Sequence, residues 1–471
     1  MKPPAVHGPF RAAEDPAMPF LASALDPSGM EARLHEAVAP FLNTGSRESG
    51  VASLRSLRES GKSEDEISAD EASPRNRRES GGAPFRSLRE SGKSEVSRDE
   101  TSASEDSARN RRESVGLEGE STREERAENF PTPDPPLPTP RSDRRERPAL
   151  RLAGIRVVRH KPGKRCLIEY DIEVSEDGSL HREAPRSGAG LIEYDGEMSG
   201  GESFLTVIGK VRARGVDAKS HIVQRGLWEG GFDDGGRFAV PRPLGEIPEL
   251  HMWLQKKEPG TMATEMLAGP DGERLARGVA ELAHELHTRG VAPLRKPHTM
   301  DDELRILHER LPLVSEEKPG WRGRVDRILA ACRSLGESVP EPKKVPIHRD
   351  FYADQILVDG EKLRLLDFDL YCGGDPALDI GNFIAHVTEH SMRTLGTPDA
   401  SIESEHAMEA RFAELSGERV RGAVRVYAAL TLARHIHISR RIPERRRFTA
   451  GLLELCEERL LVGGGRRVFG I

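Results

Sequence analysis

The residues best placed to do chemistry lie in one stretch, HRDFYADQILVDGEKLRLLDFDLYCGGDPALDIGNF, residues 348–383. It reads as a loop, a short strand over 356–358, an Asp359-Gly360 turn and a second strand over 362–367. A hairpin this short sets its two ends side by side. Asp350 and Gln355, ahead of the first strand, are therefore expected next to Asp367, at the end of the second. Three oxygen-bearing side chains then converge, with no cysteine or obligatory histidine among them. Such a donor set suits a hard, octahedral Mg²⁺ that keeps waters and takes its other ligands from phosphate.

The elements that must position this stretch change period along the chain. In RCLIEYDIEV (165–174), Ile168, Tyr170, Ile172 and Val174 alternate with Glu169, Asp171 and Glu173, the pattern of a half-buried antiparallel strand. GIRVVRH (154–160) reads as its partner, with KPGK (161–164) as the turn, and FLTVIGKV (204–211) as a third strand carrying Lys210. MWLQKKEPG (252–260) reads as a strand running out into a linker. Beyond residue 270 the period becomes helical: Leu275, Val279, Leu282 and Leu286 share a face and Gly290 is a stop. Further helices are expected around 319–335, 376–393, 403–416 and 419–441. A β-rich half followed by an α-rich half is an α+β, two-lobe arrangement.

The segment 348–383 resembles the family of aminoglycoside phosphotransferases and choline kinase-like phosphotransferases, relatives of protein kinases. The family pattern is H-x-D-x-x-x-x-N, a hydrophobic hairpin, then a metal-binding Asp. His348, Asp350 and Asp367 fit it, and Gln355 stands where Asn is usual. The likeness runs over 152–460 and is sharpest at 346–383. It implies a two-lobed protein-kinase-like fold with a β-rich N-lobe and an α-helical C-lobe. It also implies ATP and Mg²⁺ as cofactors, and transfer of the γ-phosphoryl group to a hydroxyl of a small-molecule acceptor.

The resemblance assigns roles residue by residue. Asp350, with His348 in the same loop, is the catalytic pair, Asp350 orienting the acceptor hydroxyl and taking its proton. Gln355 and Asp367 hold Mg²⁺ on the nucleotide phosphates. Asp379 braces the catalytic loop from the following helix, supported by Asp375. Lys210 contacts the α- and β-phosphates. The backbone of 252–255, Met252 and Leu254 in particular, is the hinge that receives adenine. Lys161 and Gly163 of the KPGK turn, backed by Arg165, cover the phosphates.

This chain departs from the pattern in three ways. Gln355 is one methylene longer than Asn. Arg349 gives an HRD triplet like that of protein kinases, yet only seven residues separate Asp367 from Asp375, leaving no room for an activation loop. The start of the helix after Lys210 (218–223) has no acid to pair with it, and Glu229 is the nearest candidate.

Other signals point elsewhere. His386-Val-Thr-Glu389-His390 matches the H-x-x-E-H pattern of a zinc-peptidase helix, where Glu389 would be the general base. The plain alternative is polar decoration of a helix. His435 and His437 are spaced i, i+2 and point to different faces of a helix. ARHIHISRRIPERRRF (433–448) carries six arginines. These read either as a solvated helix end or as the border of an acceptor pocket, since late helices line it in the family resembled. Arginines there favour a phosphate- or carboxylate-bearing acceptor. A decayed, nucleotide-binding pseudokinase with a regulatory role is the second functional reading.

Composition bounds these readings. The chain has 471 residues, with 71 Lys or Arg against 78 Asp or Glu, which excludes a pervasively basic nucleic-acid binder. No apolar run approaches the roughly 20 residues of a membrane span, and the N-terminus lacks the apolar core of a secretory signal. The four cysteines form no CxxC pair, which points to a reducing cytoplasm. Residues 46–148 hold 20 basic and 23 acidic residues but only nine Ile, Val, Leu or Met, too few to offset the entropy of ordering. RSLRESGKSE recurs there at 55–64 and 86–95. The expected organisation is a helical segment over 1–45 that packs on the main domain, a disordered insertion over 46–148, an N-lobe over 149–251, and a hinge with the C-lobe over 252–471. The chain is expected to be a monomer or homodimer acting on a small-molecule hydroxyl acceptor, with no nucleic-acid or membrane partner.

Overall fold

Residues 5–7, 12–42, 149–175 and 202–462 are described by a computed structural model. They belong to one of the chain's two units, Met1–Arg47 with Arg144–Ile471. The insertion expected over 46–148 lies outside the described residues.

The first half is strand-rich, in the order β1 (Ala5–His7), α1 (Leu21–Ala24), α2 (Pro27–Leu42), β2 (Ala149–Lys161), β3 (Arg165–Ser175), β4 (Glu202–Arg212), α3 (Ala218–Glu229), β5 (Phe238–Ala239), β6 (Pro243–Ile247) and β7 (Met252–Lys256). These strands form a six-stranded sheet ordered β1-β2-β3-β4-β7-β6, with β5 left to a second sheet. Alternation works as the sequence predicts. Cys166, Ile168, Tyr170, Ile172 and Val174 of β3 face a core with Val207 and Val211 of β4 and Met252 and Leu254 of β7. Met18, Leu21, Met30, Leu34 and Val38 of the N-terminal segment close that face. Lys210 and Trp253 pair across β4 and β7 on the opposite face. Gly209 permits this pleat, because a Cβ there would meet Met252 Sδ at 2.8 Å and Tyr170 Cε2 at 2.9 Å.

The rest of the described chain is mostly helical: β8 (Thr261–Met262), α4 (Ala263–Met266), α5 (Gly272–Arg289), α6 (Met300–Arg310), α7 (Pro312–Glu317), α8 (Arg322–Glu337), β9 (Val345–Ile347), β10 (Ile356–Asp359), β11 (Lys362–Leu365), β12 (Cys372–Gly374), α9 (Pro376–His390), α10 (Ile402–Ser416), α11 (Val420–Arg441) and α12 (Thr449–Glu457). The helical segments read from the sequence all form, within a few residues of their expected ends. The hairpin β10–β11 pairs Ile356 with Leu365 and Asp359 with Lys362, leaving Gly360 and Glu361 as its two-residue turn. Gly360, at φ 57°, supplies the left-handed residue the turn needs. Buried residues line almost the whole circumference of α11, as befits a helix at the centre of its lobe. It packs closely on α9 at Gly381, where an added Cβ would meet Tyr427 Cβ and Val424 O at 2.6 Å. The α+β, two-lobed arrangement is thus the fold of the chain.

Candidate active site

The helix α9 begins at a capped terminus: Asp375 accepts from Ala377 N at 2.9 Å, and Pro376 occupies the first turn, where a missing N–H costs nothing. That start aims Asp379, in the same turn, at the loop after β9. Its carboxylate is wholly buried. It accepts from His348 N at 2.8 Å and from Arg349 N at 2.7 Å, and its Oδ2 also pairs with His287 Nε2 of α5 at 2.9 Å. His348 is itself buried and donates from Nε2 to Leu366 O at 2.8 Å, tying the loop to the residue before Asp367. Arg349 (φ 68°) and Asp367 (φ 60°) both sit in the left-handed region. Strain of this sort, about 1–3 kcal/mol per residue, persists where surrounding bonds fix the backbone. Here the Arg349 N–H is fixed by Asp379.

Gln355 closes the loop in a short 3-10 turn, Ala353–Gln355. Its backbone oxygen accepts from Leu366 N at 2.8 Å, which sets it beside the end of β11. Its Nε2 donates to the Tyr352 hydroxyl at 3.3 Å, leaving the amide oxygen for another partner. Asp367 Oδ1 accepts a long bond, 3.3 Å, from Asp369 N. The hairpin therefore gathers Asp350, Gln355 and Asp367. Burial pushes the Asp350 carboxyl up; His348 and Arg434 pull it down, and Asp367 and Asp369 add to the rise. These oxygen donors fit a hard cation sharing phosphate oxygens. No cluster of three His, Cys, Asp or Glu among the described residues could hold a metal by itself.

From the sheet, Lys210 faces these acids. Burial lowers its ammonium, while Asp367 and Asp369 oppose the shift. Its Nζ lies 4.6 Å from the centre of the Trp253 ring, a cation–π contact. The helix α3 offers it no carboxylate: Glu229 is exposed at the far end. Instead His221 of α3 is buried against Trp253, with 5.5 Å between ring centres, and bonds Glu246 of β6. The anions acting on Lys210 are Asp367 and then Asp369; Asp369 accepts from Arg212, from Arg165 Nη1 at 3.4 Å and from Ser220 Oγ at 3.3 Å. Burial alone would raise Asp369, but Arg212 and Lys210 outweigh it and hold the carboxyl low.

Two sequence expectations move. The backbone of 252–255 is not free to receive adenine, because Met252 and Leu254 are paired on one side with Val211 and Gly209 and on the other with Ile247 and Gly245. Lys257 N still donates to Thr206 O at 2.8 Å, and the chain leaves the sheet beyond it, over 258–260. The KPGK turn is present, with Gly163 at φ 66° and Arg165 pointing to Asp369. Its Gly163 N–H, however, donates to Asp15 Oδ2 at 2.8 Å, and His160 Nε2 contacts the same oxygen at 2.9 Å. Lys161 lies exposed in that turn.

The zinc-peptidase reading loses its base. Glu389 is buried and pairs with Arg393 at 3.2 Å and Arg445 at 3.7 Å, while His386 stacks on Tyr352. Sequence reasoning missed Asp369, His287, Asn382 and Asp15. Asp369 had a signal, a second acid two residues after Asp367. Asn382, which donates to Phe351 O at 3.0 Å, and His287 had none, because only the fold brings them to the loop.

Residues 225–419 match the family model described as the phosphotransferase enzyme family. The matched span takes in residues 346–383. Among solved structures, the chain is similar to a choline/ethanolamine kinase family protein from Mesorhizobium loti (16% identity, TM-score 0.39, covering 57% of this chain and 87% of that one). It is similar to an ethanolamine kinase from Plasmodium vivax (11% identity, TM-score 0.40, 65% and 82%). It is also similar to a thermostable mutant of an aminoglycoside phosphotransferase in ternary complex with AMP-PNP and hygromycin B (15% identity, TM-score 0.41, 67% and 95%). No curated protein matches.

Proposed function

We propose that this chain, whose residues 225–419 match the phosphotransferase enzyme family, transfers the γ-phosphoryl group of ATP to a hydroxyl of a small molecule. One observation carries the reading. A single brace, Asp379, fixes the backbone of the Asp350 loop, while the hairpin returns Asp367 to that loop and opposite Lys210.

In this reading Asp350 accepts the hydrogen bond of the acceptor hydroxyl and takes its proton as the oxygen attacks. Its raised affinity for protons suits that task. Lys210, steered by the Trp253 face, meets the α- and β-phosphates. The oxygens of Gln355 and Asp367 would hold Mg²⁺, which supplies charge neutralisation on the phosphates when bound. Asp379 acts through the backbone of His348 and Arg349 as a positioning residue, and Asp375 fixes the helix that carries it. Adenine would be received where the chain leaves the sheet after Lys257. With positioning dominant, the largest contribution is holding two anionic reactants in line.

Four free, buried cysteines accord with a cytoplasmic setting. No helix among the described residues is long and apolar enough to cross a membrane. The lack of a carboxylate on α3 for Lys210 favours, as a second reading, a nucleotide-binding pseudokinase. ADP release from Mg·ATP separates the two. Acceptor-dependent release should fall by about 10²-fold or more in Asp350→Ala and vanish in Asp367→Ala. Full activity in Asp367→Ala sinks the site; nucleotide binding without turnover on any acceptor favours the pseudokinase.

A further inference from the structure

The imidazole pair His386 and His435 lies outside the roles assigned above, yet it adjoins the catalytic loop. Tyr352, two residues beyond Asp350, stacks on His386 with ring centres 4.5 Å apart and planes at 24°. His386 in turn meets His435 edge-on at 4.4 Å. The close approach of α9 and α11 at Gly381 makes this contact possible. His435 is 1% exposed, and neither of its ring nitrogens has a hydrogen-bond partner among the described residues. A buried polar group left without a partner costs about 1–3 kcal/mol and calls for an explanation. His386 is less enclosed than His435.

The charges acting on the pair have one sign. Burial is the first cause lowering both imidazoles, taking His435 to about 3; His435 comes next for His386, and the remaining charged side chains that lower the two rings are arginines. Arg434 and Arg445 act on both rings, and Arg393 acts on His435 as well. Two carboxylates and one amide oxygen accept from these arginines. Glu303 and Asn382 take Arg434, at 2.9 and 2.6 Å, and Glu389 takes Arg393 and Arg445. All three arginines remain partly exposed. Two neutral rings, one with both nitrogens unpartnered, with partly exposed arginines beside them and Arg434 acting on Asp350, match a ligand with hydroxyls and an anionic group.

We propose that Tyr352, His386 and His435, flanked by Arg393, Arg434 and Arg445, form the acceptor subsite, and that its acceptor is a hydroxyl compound bearing a phosphate or carboxylate. The inference rests on the phosphotransferase reading and narrows its substrate class. The imidazole nitrogens of the buried pair bond acceptor hydroxyls, and the arginines take the anionic group through charge-assisted bonds. A polycation would meet repulsion there.

The full chain loaded with Mg·AMP-PNP tests this by calorimetric titration with matched pairs: glycerol against glycerol 3-phosphate, glucose against glucose 6-phosphate, and 4-hydroxybutanamide against 4-hydroxybutanoate, with neomycin as the polycation. At least one anionic member should bind tenfold or more tightly than its neutral match. Arg445→Glu and His435→Phe should each weaken that binding tenfold or more, and Arg445→Lys should recover most of it. Affinity for Mg·AMP-PNP should change less than twofold in all three variants, which also reports that they are folded. Equal binding within every pair, tighter binding of neomycin, no saturable binding of any anionic member, or indifference to Arg445→Glu each overturns the subsite. Failure of the wild type to bind Mg·AMP-PNP overturns the phosphotransferase reading instead.

Discussion

Removing the carboxylate of Asp379 is the sharpest test of how the catalytic loop is held. In the native chain that group is wholly buried and serves the His348 N–H, the Arg349 N–H and His287 Nε2. Asp379→Ala strands two backbone donors in a site that water does not reach. Each costs about 1–3 kcal/mol when unpaired, and the buried partner His287 loses its acceptor as well. Breaking a buried ionic contact by deleting one partner typically costs about 3–5 kcal/mol, so both routes converge on that range. It is a large share of the roughly 5–15 kcal/mol that holds a domain folded. Arg349 compounds the effect, since its left-handed backbone loses the bond that fixes it. Urea unfolding followed by circular dichroism should show a lower midpoint with an unchanged slope. The double variant with His287→Ala should lose less than the sum of the two single losses, as contacting residues do. A stability loss below about 1 kcal/mol in Asp379→Ala, or strict additivity with His287→Ala, would refute the claim that this carboxylate braces the loop.

Further outcomes follow from charges set elsewhere. Burial pushes the Glu405 carboxyl up to about 7, against the pull of Thr388 and Arg459, so the folded chain keeps a proton that the unfolded chain releases above about 4.5. Stability from this group is therefore fully present below pH 4.5 and drains away up to about pH 7, by about 3 kcal/mol at most; Glu405→Gln should flatten the slope of unfolding midpoints between pH 5 and 8, and an unchanged slope rejects the assignment. Asp15 has the opposite sign: its bond from Gly163 N–H, with help from His160, holds the carboxyl low, so its contribution is present above about pH 3.8 and disappears as pH falls through the lower folded value. Asp15→Ala should free the 161–164 turn and raise KM for ATP severalfold while leaving the acceptor KM unchanged; equal KM for ATP would show that the N-terminal clamp does not tune the turn.

The strands and helices were legible because their patterns are local. Alternation in β3 and the i, i+3, i+4 face of α5 both state which side is buried before any partner is known. The hairpin was legible for the same reason: Asp359-Gly360 between apolar runs permits one short return. The misplaced hinge came from reading the apolar strand 252–255 as the place where the chain turns. Its backbone is consumed by ladders on both edges, and sequence alone does not say that β6 lies alongside β7. Asp15 was equally hidden. Its contacts with His160 and Gly163 span 145 and 148 residues, and no periodicity carries information over such a separation.

The same distinction explains the missing acid of α3. A lysine in a β-strand needs a counter-charge, and the next helix has none in reach, its one acid, Glu229, being exposed at the far end. The fold supplies it from the loop after β11, through Asp367 and, next to it, Asp369. The Asp369 carboxylate also collects Arg165 of β3, Arg212 of β4 and Ser220 of α3, so three elements of the strand-rich lobe converge on a residue two positions from Asp367. Asp369 N also donates to Asp367 Oδ1. Lys210 and Asp367 are thereby referenced to one scaffold, and a separation of the lobes that removed Asp369 from Arg212 would displace both together. A helix-borne glutamate would let α3 swing Lys210 in and out while Asp367 stayed fixed. Here the positions of the cation and the acid are coupled through a loop, which leaves α3, with His221 and Gln224 bonded into the sheet, as a support for the strands.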